Sequence, residues 1–193
     1  MAESQKQLGH EIRFVTLEGS PLEEKVVKAG FQNHSVKLGA LGKTAFSFEL
    51  SRLLTGSDRP DILHLHSTQD INMSLPAMVL SRGMPGPRTK VILQIHIWIS
   101  HSKKDPLHAI AYSLIDEVWC SSEPAKATLE RYLPIAPKKL RIVRYGRKIE
   151  AISKGMLGRP EARRILNIPE DAVVLGNVAR IDEGKGTREL IEA

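Results

Sequence analysis

Residues 116–146 read DEVWCSSEPAKATLERYLPIAPKKLRIVRYG. The opening DEVWCSS is a short apolar run rich in residues that fit a strand. Ser121 and Ser122 stand where a helix N-cap belongs, because a hydroxyl there accepts one of the unpaired N–H groups of the first turn. EPAKATLERYL then reads as a helix and KLRIVRYG as a second strand. Two strands joined through a helix pair in parallel, and parallel sheets are covered by helices.

The same unit recurs toward both ends. EIRFVTL predicts a strand, and SPLEEKVVKAG a helix with its signals intact: Ser20 caps, Pro21 takes the first position, Glu23 completes a capping box and Gly30 stops it. HSVKLG predicts a short strand. TAFSFELSRLL predicts a helix with Phe46, Leu50, Leu53 and Leu54 on one face. DILHLHS predicts a strand, followed by a helix from Asp70 to Arg82. GMPGP forces a loop, KVILQIH predicts a buried strand, and DPLHAIAYSL a helix capped by Asp105. Alternating strands and helices with nearly continuous apolar strands predict an α/β fold, a Rossmann-like parallel sheet with helices on both faces. Ligands of such sheets bind beyond the carboxyl ends of the strands. Those ends fall at Thr16–Ser20, His64–Ser67, His96–Asp105 and Cys120–Glu123.

After Gly146 the texture becomes polar and glycine-bearing, as in a connector. PEARRILN predicts a short helix, AVVLGNVARI a strand and GTRELIEA another helix. The expected organisation is a domain over 1–150 and, over 151–193, a connector with the truncated start of a second Rossmann-like domain. The opening AESQKQLGHEI reads as the tail of a helix whose preceding strand is missing, so the chain is expected to be part of a larger protein.

Composition narrows the class. Hydrophobic content of 41% and charged content of 26% suit a globular protein rather than a disordered one. The single cysteine, Cys120, excludes a disulfide framework, fits a reducing compartment and reads as a buried inert thiol. No apolar run approaches the ~20 residues that span a bilayer, and the N-terminus lacks the apolar core of a signal peptide; a cytoplasmic location is expected. The net charge of +6 is uneven. Lys126, Arg131, Lys138, Lys139, Arg141, Arg144, Arg147 and Lys148 stand against one acid, Glu130, within 126–148. Such a segment is either a solvated face or a surface for an anionic membrane or a phosphorylated acceptor. Nucleic acid is not expected as a partner, because aromatic residues for stacking make up only 5%.

The final stretch, VVLGNVARIDEGKGTRELIEA, places Arg180 after a strand end, Lys185 five residues later and Gly186 at the start of a helix. Two cations beside a helix N-terminus suit a diphosphate: a point charge from lysine, forked donors from arginine, and backbone N–H groups. On residue types alone the pair reads either as that grip or as surface cations in a loop. A P-loop is excluded, since Ala179 stands where glycine is needed and Gly186 where Ser or Thr is needed. His64 and His66 share a strand face. As a metal pair they lack further ligands at suitable spacing, so no metal is expected.

This tail resembles the donor-binding segment of family 4 glycosyltransferases, which have the GT-B fold. GHEIRFVT, RPDILHLHS, KVILQIH, DEVWCSSEPAKATLERYLP and KLRIVRYG resemble successive segments of that family's N-terminal domain, in order. The resemblance implies a retaining transfer of a sugar from a nucleotide-sugar donor to a lipid, polysaccharide or small-molecule acceptor, without metal or other cofactor. It implies that Arg180 and Lys185 stabilise the leaving nucleoside diphosphate with Gly186 beside them. It also implies that His96 faces the cleft near the donor sugar, where the alternative is a strand-end histidine bound to backbone. His66, Ser67 and Ser121 would line the acceptor side. The family's two glutamates, separated by seven residues, would lie downstream of Ala193, so the chain alone is expected to be inactive. In RYGRKIE the sequence departs from the family: Tyr145 stands where asparagine is usual, and Arg147 and Lys148 follow Gly146. The transfer would take place at the cytosolic face of the membrane. The competing readings are a GT-B epimerase or phosphorylase relative and a non-catalytic Rossmann-like module that binds a sugar nucleotide or pairs with a partner chain.

Overall fold

The structure is a computed structural model that describes residues 1–37, 43–97, 99–146, 149–181 and 185–193. The chain divides into two compact units, Met1–Tyr145 and Gly146–Ala193.

The first unit alternates strands and helices: α1 (Ala2–Gln7), β1 (Arg13–Leu17), α2 (Pro21–Lys28), β2 (Gln32–Val36), α3 (Lys43–Thr55), β3 (Ile62–Leu65), α4 (Thr68–Arg82), β4 (Lys90–Gln94), α5 (Pro106–Ser113), β5 (Glu117–Cys120), α6 (Glu123–Tyr132) and β6 (Leu140–Ile142). Every strand pairing is parallel. The fold is α/β, with parallel sheets flanked by helices. Pairing divides the strands into two ladders, β1–β2 and β3–β4–β5–β6, where the sequence predicts one sheet. Strand β6 follows a single 3₁₀ turn at Pro137–Lys139 and is shorter than the predicted run, ending at Ile142.

Local chemistry explains the helix ends. The Ser20 hydroxyl accepts the Glu23 N–H at 3.2 Å, and Glu23 Oε2 accepts the Gly19 N–H at 2.5 Å. At the other end of α2, Gly30 adopts φ +69, and the N–H groups of Gly30 and Phe31 bond the carbonyls of Val27 and Val26. That is a Schellman stop, and it favours glycine because a Cβ is strained at this φ. Asp105 and Ser122 cap α5 and α6 by accepting from His108 and Ala125. Within α4, Pro76 removes one helical donor, and the Ser47 hydroxyl of α3 donates to the Met73 carbonyl at 2.5 Å, one turn earlier.

The main core lies under the four-stranded ladder. Leu65, Val91, Leu93, Val118 and Leu140 from its strands meet Ile71, Met78, Tyr112 and Leu129 from α4, α5 and α6. A smaller cluster joins Leu50 and Leu54 of α3 to Ala77 of α4, with Val15 and Leu63 packed against it. Asp116, just before β5, ties the lower edge: its carboxylate accepts the Val91 N–H at 2.8 Å and pairs with Arg88 and Arg82.

The second unit holds α7 (Ile149–Lys154), α8 (Arg159–Ile165) and α9 (Thr187–Glu192). The strand predicted over 172–181 does not form a ladder among the described residues. Val173, Val178 and Ile181 are 91%, 104% and 94% exposed. A strand exists by virtue of its neighbours, and among the described residues of its own unit this extended segment is accompanied by short helices.

Candidate functional site

The four strands β3–β6 run parallel, so their carboxyl ends share one edge, and the predicted residues of the first unit gather there together with Tyr145, which the sequence did not single out for the site. His66 follows β3, His96 lies two residues past β4, Ser121 follows β5 and Tyr145 lies three residues past β6. The ladder extends slightly beyond the strands: Ile95 N–H bonds the Trp119 carbonyl at 2.9 Å, and Val143 N–H bonds the Cys120 carbonyl at 2.8 Å. These bonds set the loops that carry His96 and Tyr145.

Three rings form a strip along this edge. His66 Nδ1 and His96 Nε2 are 3.4 Å apart, with ring planes 6° from parallel. His96 Nδ1 and the Tyr145 hydroxyl are 2.6 Å apart, with planes 12° from parallel. Ring centroids are 5.7 and 5.8 Å apart, so the rings meet edge to edge through their polar atoms and present a flat, solvent-exposed face. His64 lies behind, 4.2 Å from the His66 centroid, and Trp119 packs against His64 edge-on at 5.2 Å.

The inner part of the strip is poorly satisfied. His64 Nε2 and Gln94 Oε1 are buried without a well-formed hydrogen bond, and Gln94 is 2% exposed. Burial lowers the His64 pKa to about 4, the neighbouring His66 acts in the same direction, and the adjacent Gln94 side chain opposes them. Burial also lowers that of His66; His96 adds to the effect and Asp70 opposes it. Asp70, in the first turn of α4, is pushed up by burial against the backbone N–H groups of Ser67 and His66. His64 and His66 are therefore neutral at neutral pH, and neutral imidazoles offer both donors and acceptors. Among the described residues, no group of three or more His, Cys, Asp or Glu is arranged to hold a metal ion.

The serines have structural duties as well. Ser67 caps α4 by accepting the Gln69 N–H at 3.1 Å. Ser122 rather than Ser121 caps α6, which leaves Ser121 half-buried at the edge. Cys120 is buried, its thiol 3.5 Å from the Arg141 carbonyl, and burial raises its pKa. Both features fit the inert thiol that its apolar strand suggests.

Arg180 and Lys185 belong to the second unit, and both are exposed. Gly186 takes φ +69 at the N-cap of α9, a conformation that favours glycine, and Asn177 Nδ2 donates to Thr187 Oγ1 at 3.3 Å, joining the extended segment to the helix. The basic segment is partly consumed by the fold. Lys139 Nζ donates to the Ser113 and Ile115 carbonyls at the end of α5, Arg141 stands 3.8 Å from Glu117, and Lys126 3.9 Å from Glu130. Lys138 and Arg144 are exposed; Arg147 and Lys148 lie outside the described residues.

Sequence reasoning missed Tyr145, Gln94 and Asp70 as members of this edge. For Tyr145 a signal existed, since it sits just past a strand whose carboxyl end joins the others. A comparison with protein-family models matches residues 1–150 to the model described as Glycosyltransferase Family 4. A comparison with curated proteins finds no match.

Proposed function

The chain belongs to glycosyltransferase family 4, and on that premise we propose that it takes part in the retaining transfer of a sugar from a nucleotide sugar to a lipid, polysaccharide or small-molecule acceptor. The observation that carries the reading is the His66–His96–Tyr145 strip at the carboxyl edge of a parallel sheet. Imidazole and phenol groups on a flat exposed face supply the donors and acceptors that a polyhydroxylated ligand needs. In this reading His66, Ser67 and Ser121 line the acceptor side, and His96 stands near the donor sugar.

Arg180, Lys185 and the Gly186 N–H would hold the diphosphate. Charge builds on the phosphate oxygen as the glycosidic bond breaks, and fixed cations lower that barrier. No metal or cofactor is needed for this step. The resemblance also implies a second set of donor contacts, two glutamates, and we propose that residues 1–193 by themselves bind nucleotide sugar without turning it over. Calorimetric titration of a panel of nucleotide sugars tests the grip. A charge-assisted hydrogen bond contributes about 1.5–3 kcal/mol, so Arg180→Ala and Lys185→Ala should each weaken binding by roughly 10- to 100-fold. Equal affinity of both variants and the parent chain would remove the two residues from the site.

The working surroundings we propose are cytoplasmic, with peripheral contact to an anionic membrane or a phosphorylated acceptor through Lys138, Lys139 and Arg141. Lys138 and Arg141 would supply most of that contact, since Lys139 is bound to two carbonyls. Liposome partitioning should fall on neutralising Lys138 and Arg141 together; unchanged partitioning would argue against the membrane.

A further inference from the structure

The Tyr145 hydroxyl lies 2.6 Å from His96 Nδ1. An N–H donor sits about 2.7–3.2 Å from an oxygen acceptor, so 2.6 Å falls short of that range. The phenol O–H is the other donor the pair offers. A neutral imidazole whose Nδ1 accepts carries its own proton on Nε2. That N–H faces His66 Nδ1 at 3.4 Å, with the two ring planes 6° from parallel. His66 then accepts at Nδ1 and in turn carries its proton on Nε2. Donation runs in one direction along the strip, from Tyr145 to His96 to His66.

We propose that Tyr145 is a positioning residue: it sets His96 and His66 in the Nε2–H tautomer, so that the group offered to a ligand oxygen is His66 Nε2–H, with His96 as the internal link. The proposal rests on the reading that a hydroxyl-rich substrate binds at this edge, and it sharpens that reading. His96 has both ring nitrogens engaged in the ligand-free strip, so it does not meet the substrate as an uncommitted base. Among the described residues, His64 beneath His66, Trp119 against His64, Gln94 on β4 and Asp70 on α4 are further polar, titratable or aromatic groups around the two rings. None of them supplies a second donor to His96 Nδ1. Phenylalanine at position 145 keeps a ring on the strip and deletes only the proton that starts the chain.

The test is long-range proton–nitrogen NMR of the histidine rings in the ligand-free 193-residue chain at neutral pH. The parent chain is expected to show His96 and His66 each as a single Nε2–H tautomer. Tyr145→Phe should lose that single pattern at both, while exposed His10 is unaffected. A proton on Nδ1 of His96 in the parent chain overturns the proposal, and so do tautomers that survive Tyr145→Phe. If that variant fails to fold, the parent spectrum still decides the direction of donation, and His96→Gln tests the link by its effect on His66. No substrate enters the measurement, so failure of nucleotide-sugar binding would count against the transferase reading and leave this result standing.

Discussion

Replacing His64 with glutamine should make the protein more resistant to acid. The ring is neutral in the fold because burial lowers its pKa from 6.5 to about 4. Above pH 6.5 both folded and unfolded chains hold it neutral, and the protein keeps its full stability. As pH falls from 6.5 toward 4, only the unfolded chain takes up the proton, so stability is lost; below about 4 the fold takes it up too, and the loss levels off. The fall from 6.5 to about 4, at 1.36 kcal/mol for each tenfold change in proton affinity, gives a ceiling of about 3.4 kcal/mol. The ring is only half-buried, so solvent screening brings the expected loss to about 1–3 kcal/mol. Asp70 works against this trend, because its raised pKa favours the fold at low pH, but it is present in both proteins being compared. His64→Gln keeps a polar group beside Gln94 and removes the proton site. Urea unfolding at pH 7.5, 6, 5 and 4 should show the parent chain losing about 1–3 kcal/mol more than the variant over this range. Parallel curves would mean that the ring is not held neutral, and the account of a desolvated inner edge would be wrong.

Two further predictions concern the frame that holds the site. Asp116→Ala removes a charged acceptor from the Val91 N–H and a shared partner from Arg82 and Arg88, so it should cost about 1.5–3 kcal/mol, seen as a lower thermal midpoint; a change within error would show the cluster to be ornamental. The Cys120 thiol is buried and its pKa is raised, so it should react with a thiol reagent only as the protein unfolds, and rapid labelling of the native chain would contradict the burial.

Much of the first unit is legible from local signals. Apolar runs mark strands, and Ser20 with Glu23, Asp105 and Gly30 mark helix ends through bonds that reach only three or four residues. What was not legible is set by contacts distant in sequence. The division into two ladders depends on which strand edges meet, and 172–181 carries a strand pattern without neighbours to pair with it. Ser122 rather than Ser121 became the cap because helix phase selects a single residue. Tyr145 meets His96 across 49 residues only because β4 and β6 end on the same edge. Its position just past a strand was the single hint, and a departure from the family pattern at that turn gave no sign of where the ring would point.

The account places a sugar-bearing ligand against the rings beyond β3 and β4. The most direct measurement is titration of nucleotide sugars into isotope-labelled chain, with ring signals of His66, His96 and Tyr145 followed individually. Binding should move those three signals first. If a nucleotide sugar binds and the three rings stay unmoved, while residues at the Asp116 edge respond, the site has been assigned to the wrong end of the sheet.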